Sequence, residues 1–140
     1  TPFSHHRSDV WERVLKVNVT AQWLIAQALL PVLELAENGS IIFTSSTVGH
    51  QAKPFWGVYG VSKFALEGMA ASWAQELAGV SKVRINVINP GATRTDMRAQ
   101  AYPAEDPTEL ATPQEIMPSY LFLLSDESNA ISGARLDAQG

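Results

Sequence analysis

Two short apolar runs limit most strongly how this chain can fold. "SIIFTS" at 40–45 follows a turn signal, is too brief for a helix and is apolar on both faces, which describes a parallel strand covered by helices. "KVRINVI" at 82–88 alternates Val83, Ile85 and Val87 with Arg84 and Asn86, and is stopped by Pro90. Between them, 59–77 carries Ala, Leu, Met and Trp at intervals of three and four and ends near Gly79. Strand, helix, strand is the βαβ unit of an open parallel sheet.

The flanks extend this pattern. Asp9 and Glu12 have capping-box spacing, and Val10, Val14, Val17, Ala21, Leu24 and Ala28 recur at helical intervals, so a long helix is expected over 9–35. Pro31 should bend its last turns, and Asn38-Gly39 should end it. Residues 92–111 are polar and aperiodic, as in a long loop or in short broken helices of the kind that form lids. Thr112-Pro113-Gln114-Glu115 combines an N-cap, a first-turn proline and a capping-box glutamate, opening a helix that runs to about Ser125. "GARLDA" at 133–138 reads as a last short strand. The sum is helix, strand, helix, strand, lid, helix, strand: one α/β domain of 140 residues with a parallel sheet.

Composition excludes several functions. With 10 basic and 14 acidic side chains, a net charge of -4 and no basic run, nucleic acid is not an expected partner. The absence of cysteine removes disulfides and thiolate metal sites and fits a reducing, cytoplasmic compartment. The apolar stretch 19–35 is interrupted by Thr20, Gln22, Gln27, Pro31 and Glu34, so no membrane span is expected. "TPFSHH" has no initiator Met, basic n-region or apolar h-region, and reads as a start in mid-protein without a signal peptide. His5 and His6 lack acidic or Cys partners nearby and are expected in a solvent-facing loop, with no metal.

The chemistry concentrates in 45–63. Tyr59 and Lys63, four apart at the start of a helix, share one face. Alone they describe a surface pair. "TSS", however, sits at the carboxyl end of a parallel strand, where open α/β sheets place their ligands, and leads straight into that helix. His50, three residues after Thr47, raises a serine-hydrolase alternative, but no G-x-S-x-G surrounds Ser46.

Asn18 in "KVNVT", Ser46 in "FTSSTVG", Tyr59 and Lys63 in "YGVSK" and Pro90-Gly91 in "INPGATRT" occur in the order of a known family. Over essentially all 140 residues the chain resembles the C-terminal half of a short-chain dehydrogenase/reductase, part of a Rossmann-type doubly wound sheet. More narrowly it resembles a bacterial YciK-type subgroup, labelled 3-oxoacyl-carrier-protein reductase-like.

The resemblance implies an NAD(P)-dependent oxidoreductase that interconverts a carbonyl and a secondary alcohol by hydride transfer. Tyr59 would be the acid/base. Lys63 would lower the phenol's pKa by roughly 1–3 units and hold the cofactor's ribose. Ser46, rather than Ser45, would bind the substrate oxygen, and Asn18 would anchor a water relay from Lys63 to solvent. Pro90, Gly91, Thr93 and Thr95 would meet the nicotinamide. NADP is slightly favoured over NAD by the resemblance, although the selector residues lie outside this sequence.

The family's glycine-rich turn is missing, since no G-x-G occurs anywhere, so the first mononucleotide-binding half is expected to be absent. The strand at 40–45 should then have an open apolar edge. By resemblance, helices 9–35 and 57–79 would form a homo-oligomer surface using Trp73, while packing within one chain explains Trp73 equally well. Two alternatives stay open: a non-catalytic dimerising half-domain, and a family epimerase or dehydratase, which shares YxxxK.

Overall fold

A computed structural model describes all 140 residues. The elements are α1 (Ser8–Leu15), a π-helical turn (Lys16–Thr20), α2 (Ala21–Leu33), β1 (Ser40–Thr44), α3 (Gly57–Leu77), β2 (Arg84–Asn89), α4 (Asp96–Ala101), α5 (Pro113–Leu124) and β3 (Arg135–Asp137). The strands form one parallel sheet in the order β1-β2-β3, with Ile41 opposite Ile85 and Val87 opposite Arg135. This is the expected doubly wound α/β arrangement, with helices on both faces.

One face carries the main core. Phe43, Val83, Ile85 and Val87 of the strands pack with Ala26 of α2 and with Leu66, Ala70, Ala74 and Leu77 of α3. Alanines at 70 and 74 let α3 approach the sheet closely. Each fully buried Leu or Ile contributes about 1.5–3 kcal/mol, so this face carries much of the fold's stability. Trp73 packs half-buried against the same cluster, which supports the within-chain explanation of that residue.

The opposite face meets α5 and is partly polar. Arg84 and Asn86 alternate with the apolar residues of β2, and all six residues of the strand are buried. Arg84 Nη1 donates to the carbonyls of Leu123 and Ser128, at 3.2 and 2.8 Å, and to Ser128 Oγ at 2.7 Å. The guanidinium therefore satisfies carbonyls that α5 and the turn after it leave unpaired. Asn86 bonds Ile131 O and Ala134 N, standing in for a further strand residue.

The N-terminal helix departs from expectation. Arg7, in extended conformation, precedes it and makes no side-chain cap. Asp9 therefore lies inside the helix, where it forms a two-pronged ion pair with Arg7 that holds its carboxyl below the usual range. No capping box forms at Asp9, unlike at Thr112, where both reciprocal bonds to Glu115 are present. Pro31 is accommodated within α2, which ends at Leu33, two residues before the expected 35. His6 is also not solvent-facing: its Nε2 accepts the Val58 N–H at 3.0 Å and caps α3. Gly57 beside it has φ +50, and any Cβ there would strike the His6 ring.

Two surfaces stay uncovered. β1 pairs only with β2 along its length, and Leu24, Ile25, Leu29 and Val32 of α2 are exposed.

Arg84→Met should cost about 3 kcal/mol, because bonds from a charged donor to buried carbonyls are worth about 1.5–3 kcal/mol each and do not add fully. Urea denaturation should report it as a lower midpoint with an unchanged slope.

Candidate active site

The strand tips supply the first half of the site. After β1 the chain enters a 3₁₀ turn, Thr47–Gly49, which Ser46 caps by accepting the Val48 N–H at 3.4 Å. The two serines point to different tasks. Ser45 is buried and donates to Glu67 Oε1 at 2.5 Å, whereas Ser46 is half-buried and its hydroxyl lies beside the Tyr59 phenol. Gly49 must be glycine here, because a Cβ would collide with Ser45 Oγ and come within 2.9 Å of Lys63 Cβ.

α3 supplies the second half. Tyr59, Lys63 and Glu67 lie in one row, four residues apart, beside the buried row of Leu66, Ala70 and Ala74. Packing of the second row against the sheet turns the first toward the strand tips. Lys63 Nζ lies 5.6 Å from the Tyr59 ring centroid and donates to Thr44 O, the end of β1, at 2.9 Å. Tyr59, Ser46, Pro90, Gly91, Thr93 and Thr95 line one cleft of about 720 Å³.

Burial dominates the electrostatics. Desolvation pushes the Tyr59 phenol above its ordinary value, opposed in part by the Ser46 hydroxyl, and desolvation pulls the Lys63 ammonium below its own. Burial governs the phenol here, which stands above its ordinary value and not below it as expected. The ammonium faces the Thr44 carbonyl rather than the phenol oxygen.

Asn18 sits in the π-helical turn, a local widening that recurs at functional sites. Its Nδ2 donates to Ser62 Oγ at 3.0 Å, and Ser62 in turn donates to Tyr59 O at 2.7 Å. Asn18 is thus tied to the backbone of Tyr59 and makes no bond to Lys63. Gly91 takes φ +74, and a Cβ there would come within 2.9 Å of the Gln139 amide. Thr93 donates to Gly91 O, while Thr95 accepts the Arg98 N–H and caps α4.

Several residues escaped the sequence analysis. Glu67 joins Ser45, Arg135 Nε at 3.2 Å and His50 at 3.7 Å. Arg135 also pairs with Asp137, which accepts from Asn89 Nδ2, and Asn89 reaches Thr47 Oγ1. Gln139 Nε2 donates to Pro90 O and Ala92 O at 2.9 and 2.7 Å, bracing the turn after β2. Glu67 was findable as the next residue in the Tyr59–Lys63 row; Arg135 and Gln139, distant in sequence, left no local signal. Trp56 and Tyr102 also line the cleft.

Comparison with known proteins agrees with this geometry. The family described as short chain dehydrogenase matches residues 1–106. The uncharacterized oxidoreductase YciK of Escherichia coli K12 is 49% identical over 138 residues, covering 99% of this chain and 54% of YciK. A short chain dehydrogenase structure from Pseudomonas syringae superposes with a TM-score of 0.96 at 50% identity, over 99% of this chain and 56% of that one. Another, from Escherichia coli CFT073 and complexed with NADPH, gives 0.95 at 49% identity, over 99% of this chain and 57% of that one. The chain spans about half the length of the curated relatives it matches. With its family match, its parallel sheet and its strand-tip and helix rows in agreement, the chain belongs to the short-chain dehydrogenase/reductase family.

Proposed function

We propose that the whole protein interconverts a ketone and a secondary alcohol with a nicotinamide cofactor, with Tyr59 as proton donor and acceptor. The observation that carries this reading is the single cleft shared by Tyr59 and Ser46, with Lys63 one helical turn below, fixed to the tip of β1.

The turn after β2 fits the nicotinamide end of such a cofactor. Gly91 keeps the backbone open, Gln139 holds the Pro90 and Ala92 carbonyls, and Thr93 stands beside them. When bound, the cofactor supplies a hydride to the carbonyl carbon or takes one from the alcohol. Ser46 donates to the substrate oxygen and polarises it. The Tyr59 O–H delivers its proton to that oxygen as the carbon is reduced, and the resulting phenolate recovers a proton from solvent. Burial suits this role, since it keeps the phenol neutral at ordinary pH. With one proton of its ammonium on Thr44 O, Lys63 has two left for ribose hydroxyls. Asn18 sets the Tyr59 backbone through Ser62. The NADPH complex of the Escherichia coli CFT073 relative supports NADP over NAD.

Segment 92–111 is the proposed substrate lid. The exposed apolar residues of α2 and the free edge of β1 fit an interface with further protein, either more of the same chain or a second copy. No helix is long and apolar enough to cross a membrane, and a cytoplasmic site of action is part of this reading.

Tyr59→Phe in the whole protein should lower kcat by about 10²–10⁴-fold with folding intact, measured by cofactor absorbance and circular dichroism. A phenol raised by burial gives the pH profile its sign. Reduction, which needs the protonated form, should be level near neutrality and fall as pH climbs through the phenol's titration above its ordinary value near 10; oxidation, which needs the phenolate, should rise over the same range.

Ser46→Ala should cost about 10²–10³-fold in kcat/KM, the price of one oxyanion donor. Ser45→Ala should instead lower the melting temperature, because it unties Glu67, and should have a smaller effect on rate. Equal rate losses in the two variants would contradict the division of labour between the serines.

A further inference from the structure

We propose that the substrate is an aryl ketone, or the matching benzylic alcohol, with a flat ring attached directly to the reacting carbon. This rests on the oxidoreductase reading above and adds a substrate class to it. The ketone carbon gains the cofactor's hydride and its oxygen gains the Tyr59 proton, so atoms and electrons balance as already described.

The cleft wall beside the phenol is aromatic. The Trp56 ring lies 5.6 Å from the Tyr59 ring and 6.2 Å from the Tyr102 ring, tilted by 46° and 36° respectively. Three rings therefore run without a break from the proposed proton donor to segment 92–111. Tilted pairs at these separations are a geometry aromatic groups prefer, and a further ring entering the cleft can extend the row. Met97, Ile116 and Tyr120 complete the apolar lining.

The arginine of the cleft is engaged by a carboxylate beside it. Arg98 stacks 3.8 Å above the Tyr102 ring and is gripped by Glu105 through two bonds of 2.7 and 2.8 Å. Two of its five N–H donors are thus taken by one carboxylate, which pairs its charge. No carboxylate lines the cleft, so a cationic amine would find no partner there. Lys53 also lines the cleft, and its side chain is exposed.

Backbone conformation points the same way. Phe55 has φ 70, a left-handed conformation that a bulky residue adopts only under strain. That strained turn leads directly into Trp56 beside the phenol. Strain of this kind concentrates where a side chain is held for a ligand.

The test uses the full-length protein with NADPH and three eight-carbon substrates: acetophenone, 2-octanone and 2-oxooctanoate. Acetophenone should show a kcat/KM about tenfold above the other two, and Trp56→Ala or Tyr102→Ala should bring the ratio to 2-octanone close to one. Affinity for NADPH, followed by its fluorescence, should stay unchanged in both variants. Acetophenone should also quench tryptophan emission in the wild type and lose most of that effect in Trp56→Phe. A preference for 2-octanone or 2-oxooctanoate, or a ratio unmoved in both variants, would overturn the aryl assignment and leave the oxidoreductase reading standing. Reduction of none of the three, with NADPH bound and no quenching by acetophenone, would overturn both.

Discussion

The rotation of α3 about its own axis is the constraint from which the site follows. Leu66, Ala70, Ala74 and Leu77 are buried against Phe43, Ile85 and Val87, and small residues at 70 and 74 let the helix lie close to the sheet. With that row fixed, the adjacent row of Tyr59, Lys63 and Glu67 has one direction open to it, toward the ends of β1 and β2. A helix rotated by one residue would bury Lys63 in apolar packing and turn Tyr59 away from Ser46. The free energy that places the chemistry is thus hydrophobic, and the polar contacts refine it.

Glu67 does much of the refining. Its carboxylate, mostly shielded from water, takes the Ser45 hydroxyl from the residue after β1 and the Arg135 guanidinium from β3. Both sheet edges are thereby tied to the helix that carries Tyr59. Because Ser45 is held inward, its neighbour Ser46 must face the opposite way, as alternate residues at a strand end do. The same network continues through Asp137 and Asn89 to Thr47, so the turn carrying Ser46 is tied to β2 and β3 together. Site geometry here is a property of three strands and one helix jointly.

This explains which parts could be read from the sequence. The βαβ order, the capping box at Thr112 and the Tyr59–Lys63 pair are local, encoded within a few residues, and the structure has each of them. The capping box expected at Asp9 failed because spacing alone does not place the helix start, and Arg7 competed for the carboxylate. The partners of Arg84 and Asn86 were not legible, since nothing in β2 itself reveals that α5 and the 131–134 segment bring carbonyls to meet them. The phenol was expected to be acidified by a nearby ammonium. A distance in sequence does not say that the ammonium turns to a carbonyl, nor that burial outweighs it.

Segment 92–111 shows the same limit from the other side. Its composition offers no period, yet it is ordered by bonds internal to itself. Arg94 reaches the carbonyls of Pro107, Thr108 and Leu110, Arg98 clasps Glu105, and Thr93 pairs with Ala111 across the base of the segment. Two arginines thus help to close this loop on itself. What the segment then presents to the cleft is Met97, Ala101 and the Tyr102 ring, together with Thr93, Thr95 and the Arg98 guanidinium stacked on that ring. Which groups of this segment face the cleft is thus decided by bonds made across the segment, and no short window of its sequence carries that information.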